Sequence, residues 1–493
     1  MNKFMKRFLL LTGVGSLVFS VACGGFGTGG NGGNGGGGGG GNGSFSNASL
    51  SGQYAYQLKG YSSGPFREAG VFTADGNGHI TSGKDDLAFG TTVLPDNSTG
   101  TYQVDGNGIA TVFLNFAGGG SSTFVITLSS SSQFYMIETD SGAVASGTAQ
   151  KQDTTAFASV PNGTFVMRMH TVNSAQSLSS TIGAFTVTGG SVTGSMDKKT
   201  GASFAPTTIT GSLNFPDATT GRGSGTFQDT GTGATTSFQY YVVDASHLIF
   251  FSTDAGVLGI GQAEKQTGGP FTTASFTGPY AFGTSGDTTT PNFLENTNTA
   301  GRFTADGSGT ISAGVLDNVT NGTVANVTFT GTYTVANTGR AAVTLAEGSN
   351  NIQQVYWMIS PNRAFFITNS PTSIEDGILD TQVGTFSNSS LNGIYAFGIT
   401  GFDGNLTNDL TGTLTANGTG TLSMALVPNV NGTVAATVQN FSGTYTVGSN
   451  GRTVGVLNGF SNNLIMYMVS PSSAYVLQAD TGVQLQGTIT KQP

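Results

Sequence analysis

Cysteine is all but missing from this chain. The single Cys23 excludes an intrachain disulfide, so no disulfide framework holds the fold. Charge is scarce too: Asp, Glu, Lys and Arg supply 9% of residues, against roughly 25% in an ordinary soluble domain. The net charge is −9 with no basic cluster, and phosphate binding needs clustered Lys and Arg, so nucleic acid is excluded as a partner. The histidines number three, His79, His170 and His247, and none stands at ligand spacing from another. A metal site or a Ser-His-Asp arrangement shared by repeated units is therefore excluded; a private site using His170 or His247 is the remaining alternative to surface or satisfied histidines. The apolar run Phe8 to Phe19 is too short to span a bilayer comfortably as a helix.

What fills the space is Gly (78 residues), Thr, Ser and Asn, with 34 Phe and 14 Tyr for apolar bulk. Thr suits a pleated strand, and Gly and Asn suit turns with positive φ. The composition reads all-β with many tight turns, and the aromatic content separates it from a disordered chain.

The N-terminus reads as a leader. Lys3, Lys6 and Arg7 precede the apolar run, and Ser20-Val21-Ala22-Cys23 follow it. This resembles a bacterial lipoprotein signal peptide, with Ser20 where that pattern usually has Leu. The resemblance implies cleavage before Cys23 and lipidation of its sulfur and new amine; the other reading is an ordinary secretory signal. Several acyl chains, at roughly 0.8 kcal/mol per buried CH₂, make such anchoring stable. Gly24 is not the Asp that marks inner-membrane retention in that family, which implies an outer membrane or cell surface. Residues 24–43 are almost all Gly and Asn, with seven consecutive glycines from Gly35. They predict a flexible tether with an end-to-end distance of roughly 25 Å. A phosphate-cradling loop would need a following helix and usually a lysine, and has neither.

The rest of the chain repeats. Gly-x-aromatic signals stand at Gly52-Gln53-Tyr54, Gly163-Thr164-Phe165, Gly278-Pro279-Tyr280 and Gly393-Ile394-Tyr395. Thr99-Gly100-Thr101-Tyr102 returns as Thr330-Gly331-Thr332-Tyr333 and Ser442-Gly443-Thr444-Tyr445. These predict a signal peptide over 1–22, a lipidated Cys23 and tether over 23–43, and β repeats over 44–152, 153–266, 267–383 and 384–493. The second repeat diverges, with Gly211-Ser212-Leu213 at the Gly-Thr-Tyr position. The clearest repeat reads as eight short strands joined by hairpins, an antiparallel meander that can close into a barrel and remove both edges. The alternative is an immunoglobulin-like β-sandwich in each repeat. Tyr356-Trp357-Met358-Ile359 is apolar on both faces, which suits a sandwich or a barrel wall pressed on its neighbour.

Gly-x-aromatic at the first strand of an eight-strand meander resembles lipocalin and avidin-like up-and-down barrels. Tyr or Phe stands where that class has its Trp, and no ligand-binding residue of the class maps onto this sequence. More loosely, the chain is similar to tandem-repeat lipoproteins of unknown function encoded in some environmental bacteria.

The remaining candidates for chemistry are few. Asp75-Gly76-Asn77-Gly78-His79 begins like a calcium loop, but Ile80 and Asp86 stand where the glycine and glutamate belong; a hairpin turn is the simpler reading. Lys84-Asp85-Asp86 and Asp197-Lys198-Lys199 read as solvated loop segments. Glu375-Asp376 reads as a loop, or as half of a glycosidase pair lacking its partner. Tyr333, Tyr445, Phe365 and Phe366 read as core rather than sugar platforms, and Arg340 and Arg452 as turn-edge residues bonding a neighbouring strand. No catalytic, cofactor-binding or metal-ligating residue is assigned; Cys23 is the one site, for lipid. The expectation is a non-enzymatic, membrane-anchored extracytoplasmic lipoprotein with its units in a row and a structural, adhesive or interaction role. A surface protein or glycan is the expected partner. The alternatives are a small apolar ligand inside the barrels or, more weakly, surface carbohydrate binding or hydrolysis.

Overall fold

The computed structural model describes residues 45–493 apart from 174–176, 289–296, 321–322, 372, 404–405, 459–462 and 481. The leader, Cys23 and the tether lie outside the described residues. What is described is four antiparallel eight-stranded barrels in tandem, not sandwiches. Barrel 1 runs from the strand Ser51–Tyr61 to the strand Val144–Lys151, and barrel 2 from Gly163–Asn173 to Val257–Lys265. Barrel 3 runs from Thr277–Thr288 to Ser373–Thr381, and barrel 4 from Asn392–Asp403 to Val483–Lys491. In each, consecutive strands pair and the last returns to the first, Tyr54 opposite Lys151 in barrel 1 and Tyr395 opposite Lys491 in barrel 4. Barrel 4 adds a two-residue strand, Thr433–Val434, beside its third strand.

The repeated motifs have physical causes. The starting glycine of each unit takes φ between 108° and 119°, a region open to glycine and strained for other residues. A short 3₁₀ turn before each barrel pushes an apolar plug into its end, Leu50, Phe276 and Leu391 in barrels 1, 3 and 4, each at most 1% exposed. The Tyr of Gly-Thr-Tyr fastens that plug. Tyr102, Tyr333 and Tyr445 donate their hydroxyls to the carbonyls of Leu50, Phe276 and Leu391 at 2.6–2.7 Å. The preceding glycine is forced by crowding: a Cβ on Gly100 would sit 1.9 Å from the Phe113 carbonyl oxygen. Barrel 2 has Leu213 instead of the Tyr and uses a longer 3₁₀ turn, Thr154–Ala158, that buries Phe157.

Barrel interiors are packed with aromatic rings. In barrel 1, Tyr54 lies 5.4 Å from Phe134 and 5.7 Å from Phe72 between ring centroids.

The barrels do not stand in a row. Each touches the next and the fourth touches the first, so they close into a ring. Every unit ends in a glutamine that reaches into the next barrel. Gln152, Gln266 and Gln382 donate from Nε2 to the carbonyls of Val242, Met358 and Met468 at 2.6–2.7 Å. Gln492 does the same to Leu128 of barrel 1 at 2.7 Å, so the last unit grips the first. Three joints carry a further fastening. Arg222 of barrel 2 clasps Asp86 of barrel 1 through Nε at 2.7 Å and Nη2 at 2.9 Å. Arg340 clasps Asp197 of barrel 2 at 2.8 and 2.7 Å, and Arg452 clasps Asp317 of barrel 3 at 2.7 Å twice. Such two-point pairs are charge-assisted and fix geometry. Each carboxylate takes a third bond, from the Tyr241 hydroxyl, the Trp357 indole N–H or the Tyr467 hydroxyl.

These contacts correct the solvated-loop reading of two charge clusters. Asp86 and Asp197 lie on strands and are fully buried, as are Asp85, which accepts from Tyr56 inside barrel 1, and Lys199. Lys198 alone in the second cluster is exposed. Arg340 and Arg452 bond a neighbouring barrel's carboxylate, not a neighbouring strand.

Candidate functional site

The outward faces of the first, seventh and eighth strands of each barrel point at the ring axis, so equivalent positions form layers. At one end stand Gln133, His247, Arg363 and Ser473, one per barrel, paired across to Gln150, Glu264, Asp380 and Thr490. The next layer holds Tyr135, Ile249, Phe365 and Tyr475, and below them Gln57, Arg168, Gly283 and Gly398. Then come Lys59, His170, Ser285 and Thr400. The two small residues make room for aromatic neighbours: a Cβ on Gly398 would lie 2.6 Å from the Tyr135 ring, and one on Gly283 2.6 Å from Tyr475.

Cavities follow the axis. One of about 510 Å³ lies at the Arg363 end. A second, of about 330 Å³, shares Gln57, Tyr135 and Tyr475 with it and is lined by all four barrels. A third, of about 70 Å³, continues from Lys59 and His170 to Asp409.

The walls differ in charge. On the side of barrels 2 and 3, Arg363 binds Glu264 at 2.8 Å and Asp380 at 2.7 Å, and the Tyr475 hydroxyl donates to Asp380 at 2.5 Å. Asp376 accepts from Arg168 at 2.9 Å and from the Ser180 hydroxyl at 2.6 Å, and lies 3.0 Å from His170 Nδ1. Burial pushes the Asp376 carboxyl up, but Arg168, His170 and Ser180 outweigh it and hold it well below the usual carboxylate range. The Arg168 guanidinium also lies over the Phe365 ring, 5.7 Å from its centroid. On the side of barrels 1 and 4 the lining of the two larger cavities is neutral except for Lys59, at the end of the 330 Å³ cavity where the third one begins. The carboxamides of Gln57, Gln133, Gln150 and Gln486 are half-buried there.

The residues singled out in the sequence fall as follows. Asp75 receives the backbone N–H groups of Asn77 and His79 at 2.7 and 3.0 Å, the geometry of a turn. His79 faces Asp75 on the surface, His247 sits 2.8 Å from Asp244, and His170 faces the axis. Tyr333 and Phe366 lie in the core of barrel 3 and Tyr445 in that of barrel 4, while Phe365 faces the joint with barrel 2. The loop reading of Glu375-Asp376 is wrong: both lie on the strand Ser373–Thr381. Glu375 is pushed up to about 7 by burial, and Asp376 belongs to the axis. Sequence reasoning missed the axial layers. Their signal was the recurrence of polar residues beside each unit's end, as in Thr148, Gln262 and Thr488.

No protein-family model and no curated protein sequence matches the chain. Among solved structures it is similar to the isotype 1 transferrin binding protein B from serogroup B Neisseria meningitidis, at 11% identity over 73% of this chain and 84% of that one, with a TM-score of 0.18. A likeness with a score that low carries no argument about function.

Proposed function

We propose that the chain is a non-enzymatic extracytoplasmic lipoprotein: a ring of four barrels held out from the membrane by a glycine tether on lipidated Cys23, with a structural or interaction role. The observation that carries the reading is the grip of Gln492 on Leu128 and Asn107, at 2.7 and 3.0 Å. It ties the last unit to the first, so the repeats form one body that presents several related outer faces at once, and repetition raises avidity without a strong single site. A surface protein or glycan is the partner class this suits. A small apolar ligand inside a barrel is disfavoured by rings such as Tyr54, Phe72 and Phe134 filling the interior. Catalysis is disfavoured because the axial carboxylates Asp376 and Asp380 are held by arginines.

Cells making the Cys23→Ser protein test both halves. Palmitate labelling should vanish, the protein should appear in the medium, and adhesion of the cells to one another or to surfaces should fall. Unlabelled wild-type protein would end the anchor, and adhesion unchanged by release would end the interaction role.

A further inference from the structure

We propose that the ring axis binds a neutral, polyhydroxylated small molecule of mono- or disaccharide size, seated against the wall of barrels 1 and 4. The site exists only because the ring closes, since the 330 Å³ cavity takes lining residues from every barrel. Its volume and that of the adjoining 510 Å³ cavity fall in the range of small-molecule sites, about 300–1,000 Å³.

The chemistry of the walls selects the ligand. Gln57, Gln133 and Gln150 of barrel 1 and Gln486 of barrel 4 line these cavities, and their carboxamides make no hydrogen bond to protein among the described residues. A carboxamide offers both a donor and an acceptor. A sugar hydroxyl does the same, so rows of hydroxyls and rows of carboxamides satisfy one another without a net charge on either. Ser146, Thr148 and Thr400 add hydroxyls to the same wall.

The opposite wall argues against a charged ligand. Arg363 is divided between Glu264 and Asp380, and Arg168 is engaged by Asp376. At this wall an anion would have to displace a buried carboxylate from its arginine, and a cation would have to displace an arginine from its carboxylate; the one cation of the other wall, Lys59, lies at the far end of the cavity beside Asp409. Either exchange leaves a buried charge without its partner. A neutral ligand leaves these pairs intact. The proposal is independent of the lipid anchor: it holds or falls whether or not Cys23 is acylated.

The test is isothermal titration of purified full-length protein in detergent with D-glucose, D-galactose, N-acetylglucosamine, maltose, trehalose and sucrose, beside sodium glutamate and sodium phosphate. At least one sugar should bind one to one, and neither salt should. The variant Gln57→Leu with Gln150→Leu keeps volume and removes two carboxamides. It should weaken sugar binding at least tenfold with an unchanged melting temperature. Absence of heat with all the sugars would overturn the proposal. So would preferential binding of either salt, or unchanged sugar affinity in the double variant.

Discussion

Three joints of the ring and the seam that closes it are built differently. Where barrels 1 and 2, 2 and 3, and 3 and 4 meet, an Arg, an Asp and a Tyr or Trp interlock, and each joint buries a shared apolar cluster. At the seam of barrels 4 and 1 the equivalent positions hold Ile109, Val427 and Thr127. Neutral hydrogen bonds replace the ion pair. The Thr127 and Thr411 hydroxyls meet at 2.9 Å, and the Asn429 amide donates to the carbonyls of Glu138 at 2.6 Å and Ala143 at 2.7 Å. The Gly142 N–H adds a bond to the Gly432 carbonyl at 3.1 Å. Buried ion pairs add little net stability, because desolvation offsets the attraction. Their use here is as an address. An arginine offered Val427, or an aspartate offered Ile109, would be left buried without a partner, so barrel 1 fits barrel 4 and not an internal face.

The widest gap between the two kinds of joint should come from breaking one lock. Arg452→Leu leaves Asp317, whose side chain is 3% exposed, as an uncompensated buried charge, and should cost about 3–5 kcal/mol in urea unfolding. Thr127→Val removes one neutral hydrogen bond from the seam and should cost about 1 kcal/mol. Replacing the whole lock, as Asp317→Leu with Arg452→Leu and Tyr467→Phe, should restore most of the loss. If the triple variant is as unstable as the single one, the pair holds the joint by attraction and the address reading is wrong.

The lock was half visible in the sequence. The barrels were legible because hairpin glycines and alternating strands are local signals. Tyr356-Trp357-Met358-Ile359, apolar on both faces, suited either a sandwich or a wall pressed on a neighbour, and the second holds: Trp357 faces Asp197 of barrel 2. The ring was not legible, because contacts between barrels follow no sequence period. Lys84-Asp85-Asp86 looked solvated because charge in a short polar stretch usually is. Yet in a chain so poor in charge, an Asp on the third strand of three units and an Arg after the same turn in three units form a pattern. The pairing of Asp86, Asp197 and Asp317 with Arg222, Arg340 and Arg452 was there to be found in that pattern, but each residue was read within its own unit. The axial site was hidden for a further reason: each barrel contributes only a few of its side chains.

The second contrast is in pH. Asp376, between barrels 2 and 3, has its carboxyl held down, so its contribution is present above about pH 4, the unfolded value, and is lost as pH falls below it. Asp409 of barrel 4 is pushed up to about 6 by burial, with Lys59 of barrel 1 opposing; Arg67 and His170 line the same cavity. For a raised carboxyl the sign reverses: its contribution is full below about pH 4 and is lost as pH rises through about 6. Between pH 7 and pH 5 this group should therefore stabilise the protein, by on the order of 2 kcal/mol at most. Asp409→Asn should flatten the rise in urea midpoint over that range. A rise that persists in the variant would place its source elsewhere.

The smallest effect sharpens the comparison most, because it concerns the one contact all four joints share. Gln266→Ala and Gln492→Ala each remove two hydrogen bonds to backbone carbonyls, worth about 1 kcal/mol net. Their local consequences should differ. Barrels 2 and 3 are joined by the chain itself, which keeps them together at a high effective concentration after the glutamine is gone. Barrels 4 and 1 have no such link, so the same loss falls wholly on the seam. In hydrogen exchange, amides such as Gly142 should exchange about fivefold faster in Gln492→Ala, while Thr267, bonded to the Ile359 carbonyl, should change little in Gln266→Ala. Equal acceleration at both places would mean that covalent continuity does not set the joints apart, and that the ring is held evenly all the way round.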